Sequence, residues 1–387
     1  MREPLRWAWE QLGLKFNEDG NGGEPLGFNE CVENWRDRKR QCAREAYRLE
    51  GVELLLETSM HRIPVENGNG KKKALGVELL GGRRIIATEE VILSSGAIGS
   101  PNILMLSGIG PEADSNRLST PLVLDVPGVR QNYHDHLSMR QWWKLCNPEA
   151  ELAVGSLTKM AESSLSERKF LDCAACQQTP SGKLHLALEI DGSMEKNKHL
   201  PFSKCYRAET LIVHVPVGTI QSSIRIPFDG THIASIVVGV LPTSRGATKL
   251  ASADPLDTPL IDPEDYATEG DKCSMREDMR KILPLMLETS EGKAIVEDNV
   301  PAPGLKKPSL ASTDEGIDTH IKQLAYTTFH PAEITAIRDI VEPDLKVVGI
   351  EGLRVVDVSV SPVPIAGHYH VPLYALAEPA ADSILGS

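Results

Sequence analysis

Residues 89–111, EEVILSSGAIGSPNILMLSGIGP, decide the fold. An apolar run, Val91, Ile92 and Leu93, breaks into serine and glycine and then resumes with helical spacing. The pattern predicts a strand, a tight turn and a helix. Gly96 and Gly99 permit close backbone approach, Ser100 is a capping residue, and Pro101 suits the first helical position. The amides that open such a helix favour anions and electron-rich ligands, although small residues at this junction serve packing as readily as binding.

Composition limits what can surround this element. The chain has 387 residues, enough for one large or two ordinary domains, and 41% of them are apolar. A formal charge of −13 offers no basic face for nucleic acid or an anionic membrane. Residues 1–20 carry charges throughout, with no apolar run of the length that a signal peptide or a membrane span needs, so a cytoplasmic location is expected. The seven cysteines are scattered and no Asn-x-Ser/Thr site occurs, so no disulfide framework is expected. Cys173 and Cys176 form a single CxxC without a second ligand pair and are read as incidental, with no metal assigned.

Taken in order, residues 5–14 read as a short helix, and residues 31–50 as an exposed amphipathic helix rich in arginine. Residues 52–62 read as a strand, followed by a hairpin and by strands over 74–80 and 85–88. Residues 138–205 show no clear period and are expected to form a variable lid or surface insertion. Residues 210–217, 220–226 and 232–241 alternate apolar and polar side chains, the pattern of an antiparallel sheet. Residues 277–291 are helical in spacing, with Pro284 expected to kink or end the helix.

Five stretches, in order, resemble the glucose-methanol-choline (GMC) oxidoreductases. Gly96-Ala97, Ser100-Pro101, Ile103-Leu104 and Ser107-Gly108-Ile109-Gly110 resemble the family's second signature. GVRQNYHDH at 128–136 resembles its GVGxNLxDH, and residues 242–263 its SRGxVxLxSxDPxxxPxIDP segment. His330-Pro331 resembles the start of its HPxGT motif, and residues 341–385 are similar to its C-terminus. The likeness runs from about residue 26 and so reads as the family's C-terminal portion. No strand, GxGxxG and helix unit precedes it, so the N-terminal FAD-binding βαβ unit is expected to be lacking.

The resemblance implies an α/β (α+β) fold: a truncated FAD-binding α/β domain plus an antiparallel-sheet substrate-binding domain. Residues 1–137 are expected to form the remnant of the first, 138–325 the second with its variable insertion, and 326–387 a return to the first. It also implies FAD-dependent oxidation of an alcohol group on a small, apolar molecule. His330 and His368 fall at the two active-site positions, where an imidazole base suits removal of a hydroxyl proton. The family's glycine, threonine and methionine positions are here Glu333, Ile334 and Ile337. Glu333 is therefore expected either to pair with His330 and raise its pKa, to take part in acid–base work, or to face solvent. Met60, Gly96, Ala97, Asp357 and Val358 fall where relatives meet the cofactor. His134, Asp135 and His136 are expected to be structural, and His370 a surface residue. The alternatives are a flavin-free cyclase, dehydratase or isomerase that uses the same histidines, or an inactive truncated member of the family.

Overall fold

A computed structural model describes residues 2–37, 39–155, 171–197, 200, 207–219, 222, 224–337 and 339–386. The chain divides into two compact units: Met1–Val52, Leu137–Thr243 and Tyr266–Thr328 form one, and Glu53–His136, Ser244–Asp265 and Phe329–Ser387 the other.

The first unit is built on an antiparallel sheet of seven strands. Its order is Gly27–Glu30, Leu171–Gln177, Ala208–Val213, His232–Gly239, Leu137–Leu145 and Val296–Val300, with Tyr326–Thr327 also paired to Leu137–Leu145. The helix Glu269–Leu287 packs its Ile282, Leu285 and Met286 into one core with Trp9, Phe28, Trp143, Ile212 and Ile233. Thr268 caps that helix by accepting from the amide of Asp271, and the helix ends three residues after Pro284. Pro284 therefore falls within the last turn.

The second unit is organised around a parallel pair, Val91–Leu93 with Leu353–Val355, which feeds the helix Gly96–Leu106. An antiparallel group, Met60–Arg62, Gly76–Leu79 and Arg84–Ile86, and the hairpin Val65–Gly68 with Lys71–Ala74 accompany it. The strand, turn and helix read from residues 89–111 are all present, with one correction. The helix opens at Gly96, not at Pro101, which lies inside it. The Asp357 carboxylate supplies the acceptor that the first turn needs: Oδ2 takes the Gly96 amide at 3.0 Å and the Ser100 hydroxyl at 2.5 Å.

Other expectations change as well. Residues 31–50 hold two-residue strands, Trp35–Arg36 and Lys39–Arg40, and a four-residue helix, Ala43–Ala46, that buries nothing. Without an apolar face to pack, such a segment has little to sustain a longer helix. The strand expected over 52–62 is confined to Met60–Arg62, since only those residues find a partner. Within 138–205, Leu137–Leu145 is an interior strand with Met139, Trp142 and Trp143 buried, and Leu171–Gln177 and the helix Ser181–Ile190 follow. A strand covered on both faces loses the polar alternation by which it would be read. Of that stretch, 156–170, 198–199 and 201–205 lie outside the described residues. In 220–226 the described residues form no strand, and 220, 221 and 223 lie outside them. The domain boundaries differ too. Residues 1–52 join the sheet unit because Gly27–Glu30 pairs with Leu171–Gln177, and residues 244–265 join the second unit because Gly246 bonds to Tyr133.

Among the described residues no helix is long and apolar enough to cross a membrane, and no group of three or more His, Cys, Asp or Glu is placed to hold a metal.

Candidate active site

Backbone pairing assembles the site within the second unit. Tyr133 exchanges both backbone hydrogen bonds with Gly246, at 3.0 and 2.7 Å, and His134 is bridged to Ala332 on its other side. Gly246 is fixed by space: a Cβ there would lie 2.1 Å from the Asp262 carbonyl oxygen. Thr335 donates its amide to the Ser359 carbonyl at 2.9 Å, and Ile334 packs with Ala97, Tyr133 and Val358. All five resembling stretches thus meet at one place.

The histidines converge there. His330 Nδ1 lies 3.0 Å from His136 Nδ1, so one ring donates and the other accepts. The His330 amide donates to Asp135 Oδ1 at 2.9 Å, and the same oxygen takes the His136 amide at 2.7 Å. The His368 ring stands edge-on to His330, with centroids 4.9 Å apart. Burial, followed by the neighbouring His368, pushes the His330 pKa down to about 4. His134, Asp135 and His136 therefore belong to the site's interior, with His136 fully buried.

Glu333 does not pair with His330. Its Oε2 lies 2.9 Å from His134 Nδ1 and 2.9 Å from Arg245 Nε. The opposite nitrogen of His134, Nε2, is 2.6 Å from the Tyr369 hydroxyl. Burial lowers the pKa of His134 against the raising effect of Glu333, which keeps this imidazole neutral. Glu333 also takes a left-handed backbone, φ +71°. That conformation costs a non-glycine residue about 1–2 kcal/mol and accounts for the glycine in the resembling motif. His368 and His370 are exposed, and Tyr369 between them is buried.

Of the residues expected to meet a cofactor, Gly96, Ala97, Asp357 and Val358 come together at the opening of the helix Gly96–Leu106. The Met60 side chain packs against the main core of this unit. Gly96 has φ +81° and no heavy atom within 4 Å of where a side chain would sit, which leaves this end of the helix an open approach. The Asp357 carboxylate is already engaged: besides Gly96 and Ser100, it takes the Ser359 amide at 2.8 Å. Its part is to brace the turn. The space left by Gly96 is what would suit FAD at this end of the helix.

Two sequence models described as GMC oxidoreductase match the chain, over residues 2–138 and 242–377. The GMC-type oxidoreductase acuG of Aspergillus aculeatus is 37% identical over 385 residues, which cover 100% of this chain and 73% of that protein. The chain belongs to the GMC oxidoreductase family. Its likeness is not confined to the C-terminal portion, because the match begins at residue 2. Human mitochondrial choline dehydrogenase is 31% identical over 402 residues, 98% of this chain and 62% of that protein. Among solved structures, a formate oxidase of Aspergillus oryzae, described in terms of FAD modification, superposes with a TM-score of 0.85 at 26% identity. That likeness covers 99% of this chain and 69% of the oxidase. The chain spans about two thirds of the length of the last two relatives.

Proposed function

We propose that this chain contributes to the FAD-dependent oxidation of an alcohol group on a small molecule, with His330 as the base that accepts the hydroxyl proton. The observation that carries the reading is the state of His330: an imidazole held neutral, with Nδ1 against His136 and the backbone tied to Asp135. In the tautomer that serves as base, His330 Nδ1 donates to His136 Nδ1 and leaves the Nε2 lone pair for the substrate hydroxyl. His368, beside it, orients that hydroxyl. Gly96 would leave the space for the cofactor and Ala97 would meet it through the backbone, with Asp357 and Val358 bracing the turn and the Met60 backbone on the adenine side. FAD, when bound, accepts the hydride.

Family membership favours this reading over flavin-free acid–base chemistry on the same histidines. The test mixes the full chain with FAD and a series of small primary alcohols without oxygen. Bleaching of the flavin band by the wild type and not by His330→Ala supports the proposal. Bleaching at the wild-type rate in His330→Ala removes His330 from the mechanism.

A further inference from the structure

Arg245, Glu333, His134 and Tyr369 form a connected set that has no assigned part in the reaction above. Glu333 holds its side chain on a left-handed backbone where the resembling motif carries an unstrained glycine. Glu333 is 9% exposed, and its carboxylate is shared between His134 and Arg245. The Tyr369 ring, reached through His134, lies 5.2 Å from the ring of His136 and 5.6 Å from that of His330.

The proton order follows from donor and acceptor chemistry. A carboxylate paired with a guanidinium only accepts, so Nδ1 of His134 carries the proton. The neutral ring then has its lone pair on Nε2, which accepts a hydrogen bond from the Tyr369 hydroxyl. One arrangement of hydrogens satisfies the chain from Arg245 through Glu333 and His134 to Tyr369, and it fixes both the His134 tautomer and the Tyr369 ring. Tyr369 also adjoins His368 in sequence, so the same anchor sets where His368 leaves the backbone.

We propose that Glu333 is a positioning residue that acts through His134 and Tyr369 to hold the rings of His330 and His136 in register for proton transfer. The proposal rests on the reading of His330 as the base. Its strained backbone is retained because the carboxylate that it carries is needed.

The test uses the full chain labelled at histidine, with the His330 resonance assigned by its loss in His330→Ala. Tyr369→Phe keeps the ring and removes the hydroxyl, whereas Glu333→Gly removes the carboxylate and relaxes the backbone. Each is expected to lower kcat about tenfold or more at unchanged KM, and to shift the His330 resonance and raise its apparent pKa. Variants that lose thermal stability but keep kcat and the His330 resonance would overturn the proposal in favour of a structural role. Should Glu333→Gly fail to fold, Tyr369→Phe decides alone. Undiminished turnover in His330→Ala would refute the base reading and with it the catalytic purpose. The His330 resonance in Tyr369→Phe reports ring placement independently of turnover, so the two failures are distinguishable.

Discussion

The two compact units cover their apolar surface differently. The antiparallel unit holds Trp9, Trp142, Trp143 and Phe28 at 2% exposure or less in its interior, with Trp7 and Trp35 at its surface. The unit with the parallel pair leaves Ile92 41% and Val371 74% exposed, and its helix His370–Ile384 buries only Ala380. Neighbouring antiparallel strands satisfy each other's backbone groups along their length, whereas a parallel pair depends on cover from other elements over both faces. Every candidate site residue lies in the second unit. The difference sets up a division of labour to test: substitutions in the sheet unit should act on stability, and those in the histidine cluster on turnover.

The strongest way to break that division is His330→Ala. It should cost about 10²–10⁴-fold in turnover, the range for loss of a general base, with the thermal midpoint unchanged. A variant that unfolds at lower temperature while keeping its activity would reverse the assignment. Next comes Trp143→Ala in the sheet core, expected to cost about 3–5 kcal/mol in denaturant unfolding. Its turnover per folded molecule should match the wild type, and a kcat defect would show that the sheet core also governs the chemistry.

Asp357→Ala sharpens the comparison within the second unit. It strips acceptors from Gly96, Ser100 and Ser359 and should cost about 1–3 kcal/mol, read as a lowered unfolding midpoint. A midpoint equal to that of the wild type would mean that the turn is held by packing alone. The smallest effect concerns Asp278, fully buried under the sheet, whose pKa burial raises to about 6 against the opposing pull of Lys281. A folded-state pKa above the unfolded value means that the folded state binds the extra proton, so this group lowers stability as pH rises from about 4 to 6. Asp278→Asn should flatten that part of the stability profile, as followed by thermal unfolding across the window. A profile identical to the wild type would place the titration elsewhere.

What could be read from the sequence was local or carried by contiguous motifs. The strand Val91–Leu93 and the helix after it announce themselves because small residues separate two apolar runs of different period. His330 and His368 were found through their flanking matches, and the structure brings their rings together. The partners of Glu333 were not legible: His134 lies 199 residues from it and 235 from Tyr369, and no local pattern encodes a contact made by pairing between distant segments. The positive φ of Glu333 had one signal, the glycine in the corresponding motif position. The interior strand Leu137–Leu145 was missed because burial on both faces erases alternation.

The most direct test of the account is the pH dependence of flavin reduction by an alcohol without oxygen, in wild type and His330→Ala. With His330 as a base that must be neutral, the rate should stay level as pH falls through 6.5 and decline only with an apparent pKa of about 4, and His330→Ala should lack that limb. A decline centred near 6.5, or the same acid limb in His330→Ala, would contradict it.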